Sequence, residues 1–312
     1  MLLSSCVVWR HLAWEDFRAE CPHGDEGLQR LIWERLDDAL AWLVSLGAEP
    51  VWQDTPNSRT TGMRFDPQAL TRLLARDVEL ETPLPDDVDG PTVLATGGWG
   101  KALAEEDGLL LRANAWSDGA GIAYATARGA DISGGGWREF YGRAMPAPPA
   151  RIREEDFVPL SQLYGAWARV YTEQGHEITP SSVAWHESDL AQRIGPRAWF
   201  VLDDDGLVHA QERVDAARAA GGTVIDPAEL PFETSPGSRV AVHVAAAVTH
   251  TISGLRVDTR ARVLAEDGSP IDGLYAAGVD AGGVATGGYA SGLAQALVLG
   301  LAAAEELSAA AG

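Results

Sequence analysis

A short apolar run that ends in a pair of glycines places the strongest constraint on the fold of this chain. Residues 92–95 are apolar enough for a buried strand, and Thr96, Gly97 and Gly98 follow them directly. Glycines after a buried strand let the backbone approach a dinucleotide more closely than any side chain would allow. A single glycine pair more often marks only a turn, so the interpretation depends on what accompanies it.

The apolar spacing elsewhere predicts a mixture of helices and strands. Apolar residues recur at helical intervals over 28–46, and Gly47 supplies the stop. A second helix is predicted over 67–76, with Asp66 as its N-cap and Pro67 at its first position. The remaining predicted elements are strands at 78–81, 92–95, 239–245, 255–257, 262–264 and 274–277, a short helix at 214–220 and a final helix from about residue 291 to 310.

Two signals divide the chain into domains. Three consecutive glycines at 134–136 and a proline-rich run at 145–149 are its strongest turn signals. We therefore expect a first domain at 1–133, a second domain at 134–232, and a return to the first domain at 233–312.

Charge and composition exclude several classes of function. The formal net charge of −21 repels phosphate, so nucleic acid and anionic lipid are not expected as partners. No apolar stretch reaches the roughly 20 residues of a membrane span, and the run at 293–304 predicts a packed interior helix. The start of the chain does not resemble a signal peptide. Cys6 and Cys21 fit neither a disulfide framework nor a metal knuckle, which predicts reduced thiols in a cytoplasmic protein.

Three familiar motifs fail on inspection. Gly119-Ala-Gly121 begins like a GxGxxG fingerprint, but Tyr124 stands where close helix packing requires a small residue. Ser291 is one place away from the serine of a GxSxG nucleophile elbow. Neither His-Glu pair, at 176–177 and 186–187, continues into HExxH, so a zinc site is not predicted.

Three segments taken together are far more specific. The first reads Val-Leu-Ala-Thr-Gly-Gly at 93–98, and the second reads Asn-Ala-Trp-Ser-Asp-Gly-Ala-Gly at 114–121, leading into a helix that closes at Gly129. The third contains His-Thr-Ile-Ser-Gly at 250–254, Ala-Gly-Val-Asp at 277–280 and Gly-Tyr-Ala-Ser-Gly-Leu-Ala at 288–294. Their order and spacing resemble the fumarate reductase/succinate dehydrogenase flavoproteins and their relatives, the 3-ketosteroid Δ1-dehydrogenases, over nearly the whole chain.

The resemblance implies an α/β fold in which an FAD-binding, Rossmann-like domain carries an inserted α+β cap domain. The cofactor would be FAD, and hydride would pass between flavin N5 and a small-molecule substrate. Asp280 is suited to accept hydrogen bonds from ribityl or ribose hydroxyls, and the start of the last helix would face flavin N1 and O2. The predicted cofactor-binding residues are Ser5, Cys6, Ala95, Thr96, Gly97, Gly98, Ser117, Gly119, Gly121, Gly278, Asp280, Gly292, Leu293 and Ala294.

The resemblance also implies four candidate catalytic residues. His250 keeps the family's His-Thr-x-x-Gly pattern, in which the histidine lies at the flavin and the substrate. Tyr141 and Arg143 fall where the cap begins to face the substrate, although a packed aromatic and a surface arginine are equally good interpretations. Tyr289 lies just before the last helix, where it contacts either a substrate carbonyl or only the flavin ring.

Departures from the family pattern argue against a dicarboxylate substrate. The family usually has Gly-Asp-Gly where this chain has Gly119-Ala-Gly121, and Tyr289 replaces an arginine that binds a substrate carboxylate in fumarate reductases. A second arginine, on the cap, would fall near Trp185 and His186 and is missing. Each lost guanidinium removes a strong, bidentate contact to carboxylate. A tyrosine before the last helix resembles the ketosteroid dehydrogenases instead, which implies a ketone or enone, with steroids as one class.

The family's opening strand, GxGxxG turn and helix have no counterpart, and residues 3–9 resemble the segment that normally follows them. We therefore expect an N-terminally truncated member of the family, whether by a misassigned start or by a true truncation. Two alternatives to an active oxidoreductase stay open: a catalytically inactive remnant that does not bind FAD, and a small-ligand-binding protein. The electron partner, the direction of reaction and the oligomeric state are not predicted.

Overall fold

The computed structural model describes residues 4–79, 88–133, 138–179 and 186–311. The chain folds into two units, each with its own core. Unit 1 comprises residues 1–99, 116–139 and 251–312, and unit 2 comprises residues 100–115 and 140–250. The domain limits predicted at 133/134 and 232/233 stay predictions, and the glycines at 134–136 lie outside the described residues.

Eight α-helices occur within the described residues, and five of them correspond to predicted helices. The two helices predicted at 28–46 and 67–76 begin at an aspartate whose side chain accepts a backbone N–H of the first turn: Asp25 from Leu28 and Asp66 from Ala69. The helices are α1 (Trp14–Glu20), α2 (Glu26–Ser45), α3 (Pro67–Leu74), α4 (Gly100–Asp107), α5 (Ala120–Thr126), α6 (His186–Ile194), α7 (Asp204–Ala219) and α8 (Gly292–Ala311).

The strands of the described residues fall into four sheets. They are β1 (Val7–His11), β2 (Pro50–Gln53), β3 (Thr60–Phe65), β4 (Thr92–Leu94), β5 (Leu110–Leu111), β6 (Ile132–Ser133), β7 (Phe140–Pro146), β8 (Arg169–Thr172), β9 (Glu177–Ile178), β10 (Ala198–Leu202), β11 (Val224–Ile225), β12 (Val240–Thr251), β13 (Gly254–Leu255), β14 (Arg262–Leu264) and β15 (Pro270–Ala276).

Unit 1 contains three of these sheets. The first is antiparallel, in the order β1-β3-β2, and the second has the order β14-β15-β4, with β15 and β4 parallel. A two-stranded pairing of β13 with β6 completes the set. Because β4 and β15 run parallel, their carboxyl ends lie at one edge of the sheet, where α/β folds bind cofactors.

The core of unit 1 lies between α2, α8 and these sheets. Five large aliphatic residues on one face of α2 are buried together with Ala39, and α2 packs against both α8 and β1. Burying an aliphatic side chain of this size contributes about 1.5–3 kcal/mol relative to leaving it exposed. The five large aliphatic residues are Leu28, Ile32, Leu36, Leu40 and Leu43.

Unit 2 is built on a seven-stranded sheet in which β12 is the central element. Strand β12 pairs with β11 on one side and β10 on the other, and the order continues through β8 to β9. Its far half also pairs with β5, in parallel, and with β7. This long strand carries His250 at its penultimate position, so the sheet fixes where that side chain stands.

Several predicted elements differ from the structure in extent. The helix predicted at 214–220 begins ten residues earlier, as α7, because Asp203 caps Gly206. The strand predicted at 239–245 continues to Thr251, and the strand predicted at 255–257 is only Gly254–Leu255. A strand at 78–81 is wrong for Val78 and Glu79, which are irregular, and its last two residues lie outside the described ranges.

Helix α8 packs against the core of unit 1 along one face. By length and composition alone it could cross a membrane, with a mean hydropathy of 1.2 over Gly292–Ala309. Only 28% of that window is buried, and the buried positions recur at helical spacing. They are Ala294, Val298, Leu299, Ala302 and Ala303.

The N-cap of α2 allows a direct test of how this helix is held. Asp25→Ala removes the acceptor of the Leu28 N–H, so we expect the free energy of unfolding to fall by about 1 kcal/mol. Asp25→Ser keeps a capping oxygen and should stay close to wild type. Urea denaturation at constant m-value measures both, and equal midpoints for wild type and Asp25→Ala would contradict the assignment.

Candidate functional site: a buried aspartate joins the glycine segments

The carboxylate of Asp280 joins two of the three glycine-rich segments. It lies in a turn at Gly278–Asp280, just after β15, and is fully buried. Its oxygens accept the backbone N–H and the hydroxyl of Thr96, and the backbone N–H of Gly98 at 2.8 Å. Burial raises the pKa of Asp280, while these donors oppose the rise because they favour the carboxylate.

The glycines of the first two segments adopt backbone conformations that other residues avoid. Gly97, Gly98 and Gly119 have φ values of 100°, 68° and 89°. The N–H of Gly119 donates to the carbonyl of Gly98 at 3.0 Å, so the two loops are bonded to each other. A Cβ on Gly121 would lie 2.4 Å from the Thr96 hydroxyl oxygen, which explains glycine in the first turn of α5.

The third segment brings the start of α8 to the same turn. The amide of Gln295 donates to the carbonyls of Gly278 and Ala281, at 2.8 and 2.6 Å. Ser291 caps the helix by accepting the Ala294 N–H at 3.3 Å. The first turn of an α-helix has N–H groups without intrahelical partners and the positive end of the helix dipole. This end therefore suits the carbonyl or anionic oxygens of a ligand.

Tyr289 belongs to the turn that leads into α8. The C-terminal end of α1 packs against that turn. A Cβ on Gly288 would overlap the carbonyl oxygen of Glu20, so the two backbones are in direct contact. The backbone N–H of Tyr289 donates to the thiol of Cys21, whose pKa is raised by burial. The ring of Tyr289 lies 5.9 Å from that of Trp9, between centroids. The position of Tyr289 is thus fixed by residues far away in the sequence.

In unit 2 the structure brings three of the predicted catalytic residues together. Tyr141 and Arg143 lie on the same face of β7, and the guanidinium of Arg143 is 4.7 Å from the centre of the Tyr141 ring. That ring is 5.2 Å from the imidazole of His250. All three side chains are half-buried. The result is one aromatic and cationic cluster at the end of β12.

The predicted cofactor-binding residues all belong to unit 1, as does Tyr289, whereas the other three catalytic candidates belong to unit 2. Asp280 is committed to Thr96 and Gly98, so its first role is to shape the loop after β4. Cys6 is buried in the core beside β3, where its carbonyl accepts the Phe65 N–H, and Ser5 is exposed. Trp185 and the side chain of His186 lie outside what the structure describes.

Two acids near the Tyr289 turn, Glu139, which is half-buried, and Glu20, which is buried, could not be identified from the sequence. Glu139 accepts the backbone N–H of Gly287 at 2.7 Å, and burial raises its pKa. Glu20, at the end of α1, is also buried with a raised pKa. The partner of Glu139 is 148 positions away, so no local pattern could have indicated the contact.

The fold and this site together define an α/β protein that binds a dinucleotide cofactor through backbone groups. A family model described as FAD binding domain matches residues 88–293, which is more than half of the chain. The chain therefore belongs to the FAD binding domain family, and FAD is its cofactor.

Relatives of established function agree with the family. A segment of 94 residues is 36% identical to NADH:acrylate oxidoreductase of Vibrio harveyi, covering 29% of this chain and 8% of that protein. The fold is similar to a flavocytochrome c3 fumarate reductase in its open conformation, with a TM-score of 0.63 and 20% identity over 93% of this chain and 65% of that one. It is also similar to the 3-ketosteroid-Δ4-(5α)-dehydrogenase of Rhodococcus jostii RHA1, with a TM-score of 0.55 and 17% identity over 97% and 87%.

The chain thus spans 8% of the curated relative and 65% of the first of these structures, and at these identities the structural likeness establishes the fold. The residues present fit FAD. The glycines at 97, 98 and 119 have no side chains, so a ligand can come close to the backbone of these two loops. Helix α8 adds the N–H groups of its first turn, which suit the oxygens of a flavin or of a pyrophosphate.

Removing the Asp280 carboxylate tests whether it organises this site. Asp280→Ala leaves the buried N–H groups of Thr96 and Gly98 without an acceptor, so we expect the free energy of unfolding to fall by about 2–4 kcal/mol. Affinity for FAD should fall with it. Asp272→Ala, an exposed aspartate on β15, is the matched control. Urea denaturation and FAD titration measure both effects, and an Asp280→Ala protein as stable as the control would refute the role.

Proposed function

We propose that this chain is the flavin- and substrate-binding part of an oxidoreductase that acts on a ketone or enone, with steroid-like ketones as the first substrates to test. The observation that carries the proposal is Tyr289, fixed by Trp9 and Cys21 in the turn that leads into α8. The resemblance to the ketosteroid dehydrogenases implies that a tyrosine hydroxyl at this position donates a hydrogen bond to the ketone oxygen of the substrate. The buried thiols Cys6 and Cys21 support a cytoplasmic location.

The named relatives share one type of chemistry. Acrylate, fumarate and 3-ketosteroids each contain or form a carbon–carbon double bond conjugated to a carbonyl group. That common feature supports a substrate in which a carbonyl activates the neighbouring carbons. The choice of ketone over carboxylate depends on Tyr289, which offers one neutral donor where a carboxylate would need a guanidinium.

The residues of the chain have separable tasks in such a reaction. Bound FAD supplies the two-electron chemistry, as an acceptor or donor of hydride at N5. The hydroxyl of Tyr289 donates a hydrogen bond to the carbonyl oxygen, which favours enolate character and acidifies the α-carbon. Asp280 holds the loop after β4, and the N-terminal end of α8 provides a positive potential for negative charge on the cofactor.

A proton must also leave or reach the α-carbon, and the resemblance implies a histidine, His250, at the flavin and the substrate. His250 carries an imidazole, a group that can accept and release a proton, and Tyr141 lies 5.2 Å from it between ring centres. Arg143 stacks on Tyr141, so a positive charge faces the phenol ring. We propose His250 and Tyr141 as the proton-handling residues.

Tyr289→Phe is the first test of this function. The substitution removes the hydroxyl and keeps the ring against Trp9, so hydride transfer should slow by about 10²- to 10³-fold while substrate binding changes less. Anaerobic rapid mixing of the FAD-loaded protein with 4-androstene-3,17-dione, followed by flavin absorbance, measures the rate. Tyr124→Phe, on α5, is the matched control. Equal flavin bleaching in wild type and Tyr289→Phe would remove Tyr289 from the mechanism.

Fumarate should be a poor substrate. The turn just before α8 contains Tyr289 and no arginine, so a C4-dicarboxylate would have no guanidinium there to bind one of its carboxylates. We expect turnover with reduced viologen and fumarate to stay below about 1 per second, the lower end of the usual range for enzymes. Turnover within that range would show that another group binds the carboxylates and would overturn the choice of substrate.

A further inference from the structure

Glu139 is in contact with two segments that carry proposed catalytic residues. Its side-chain oxygen Oε1 accepts the backbone N–H of Gly287 at 2.7 Å, two residues before Tyr289. Its backbone carbonyl accepts the N–H of Ile252 at 2.9 Å, two residues after His250. Glu139 also precedes Tyr141 by two residues in the chain. Glu139 is thus hydrogen-bonded to the residues two places from Tyr289 and from His250, and it is not itself one of the proposed catalytic residues.

Glu139 is one of several contacts that hold the Gly287 turn: the N–H of His23 donates to the carbonyl of Thr286 at 3.3 Å, and the N–H of Gly288 donates to that of Ala285 at 2.9 Å. Gly287 has a φ of 79°, and a Cβ there would lie 2.8 Å from the His23 ring, so the turn passes close over that imidazole. The next residue, Gly288, lies directly against the backbone of Glu20. With glycines at both positions, backbone hydrogen bonds and close packing set the direction in which Tyr289 leaves the turn.

Burial and the neighbouring polar groups shift the pKa of Glu139 in opposite directions. Burial raises the pKa of Glu139, and the Gly287 N–H and the imidazole of His23 oppose that rise. Burial raises the pKa of the Cys21 thiol, and the negative charge of Glu139 raises it further, so this thiol is neutral. The carboxylate form of Glu139 is the stronger acceptor for the Gly287 N–H, because charge-assisted hydrogen bonds are stronger than neutral ones.

We propose that Glu139 is a positioning residue for the reaction: its carboxylate holds the turn that aims the hydroxyl of Tyr289 at the substrate carbonyl. The catalytic part of this inference rests on the proposed function of Tyr289. The hydrogen bond between Glu139 and the Gly287 turn does not depend on that function. Because the carboxylate is the stronger acceptor, the rate through Tyr289 rises with pH as Glu139 ionises. The increase in rate should occur at a higher pH than it would for an ordinary glutamate, because burial raises the pKa of Glu139.

Hydrogen exchange tests the hold on the turn without any enzymatic activity. Deuterium uptake is followed by mass spectrometry in peptides that cover 284–291, at one pH, for wild type and three variants. Glu139→Ala should speed exchange of the Gly287 amide by about tenfold or more, because the N–H loses its charged acceptor. Glu139→Gln keeps an acceptor and should give a smaller change. Glu266→Gln, an exposed glutamate after β14, is the control. Unchanged exchange in Glu139→Ala would overturn the proposal.

A kinetic cycle then tests whether Glu139 acts through Tyr289. A misaimed donor can cost up to about 100-fold in rate, so Glu139→Ala should slow hydride transfer in wild type but add little to Tyr289→Phe. Glu139→Gln should remove the rise of rate with pH that wild type shows. A multiplicative effect in the double variant would mean a general structural role and would overturn the inference. If Tyr289→Phe alone transfers hydride at the wild-type rate, the proposed function fails, and the exchange result still decides what holds the turn.

Discussion

The hydrogen bonds of the Asp280 carboxylate are the interaction on which the rest of the site depends. Asp280 receives N–H donors from Thr96 and Gly98, and the carbonyl of Gly98 in turn receives the Gly119 N–H. Gln295 bonds the same turn to α8. The loops after β4 and before α5, the Gly278–Asp280 turn and the start of α8 are therefore bonded to one another. A buried charge that lacked these donors would be too costly to keep.

Glycine makes this arrangement sterically possible. Gly121 has no space for a Cβ beside Thr96, and a Cβ on Gly254 would lie 2.7 Å from the carbonyl oxygen of Asp280. The glycine-rich segments that suggested a cofactor site also serve close packing of backbone on backbone. The two roles agree, because loops packed this tightly keep their N–H groups in fixed positions, and fixed donors bind and stabilise charge best.

The sequence predicted well those features that have local causes. Asp66 indicated a helix start, Gly47 indicated a helix end, and the apolar run before Thr96 indicated β4, since caps and strand ends depend on a few neighbouring residues. The sequence could not show the contact of Glu139 with Gly287, nor that of Cys21 with Tyr289, because tertiary folding creates both. Strand β12 was predicted too short for a similar reason: its last residues pair with β5 and β7, which no local pattern revealed.

The central claim is that the segments at 95–98, 117–121 and 278–294 form one FAD site in unit 1. Hydrogen exchange of the purified chain with and without saturating FAD tests it most directly. The account predicts that FAD slows exchange in all three segments together, most strongly in the first turn of α8. Protection confined to one segment, or slower exchange only elsewhere in the chain, would contradict it.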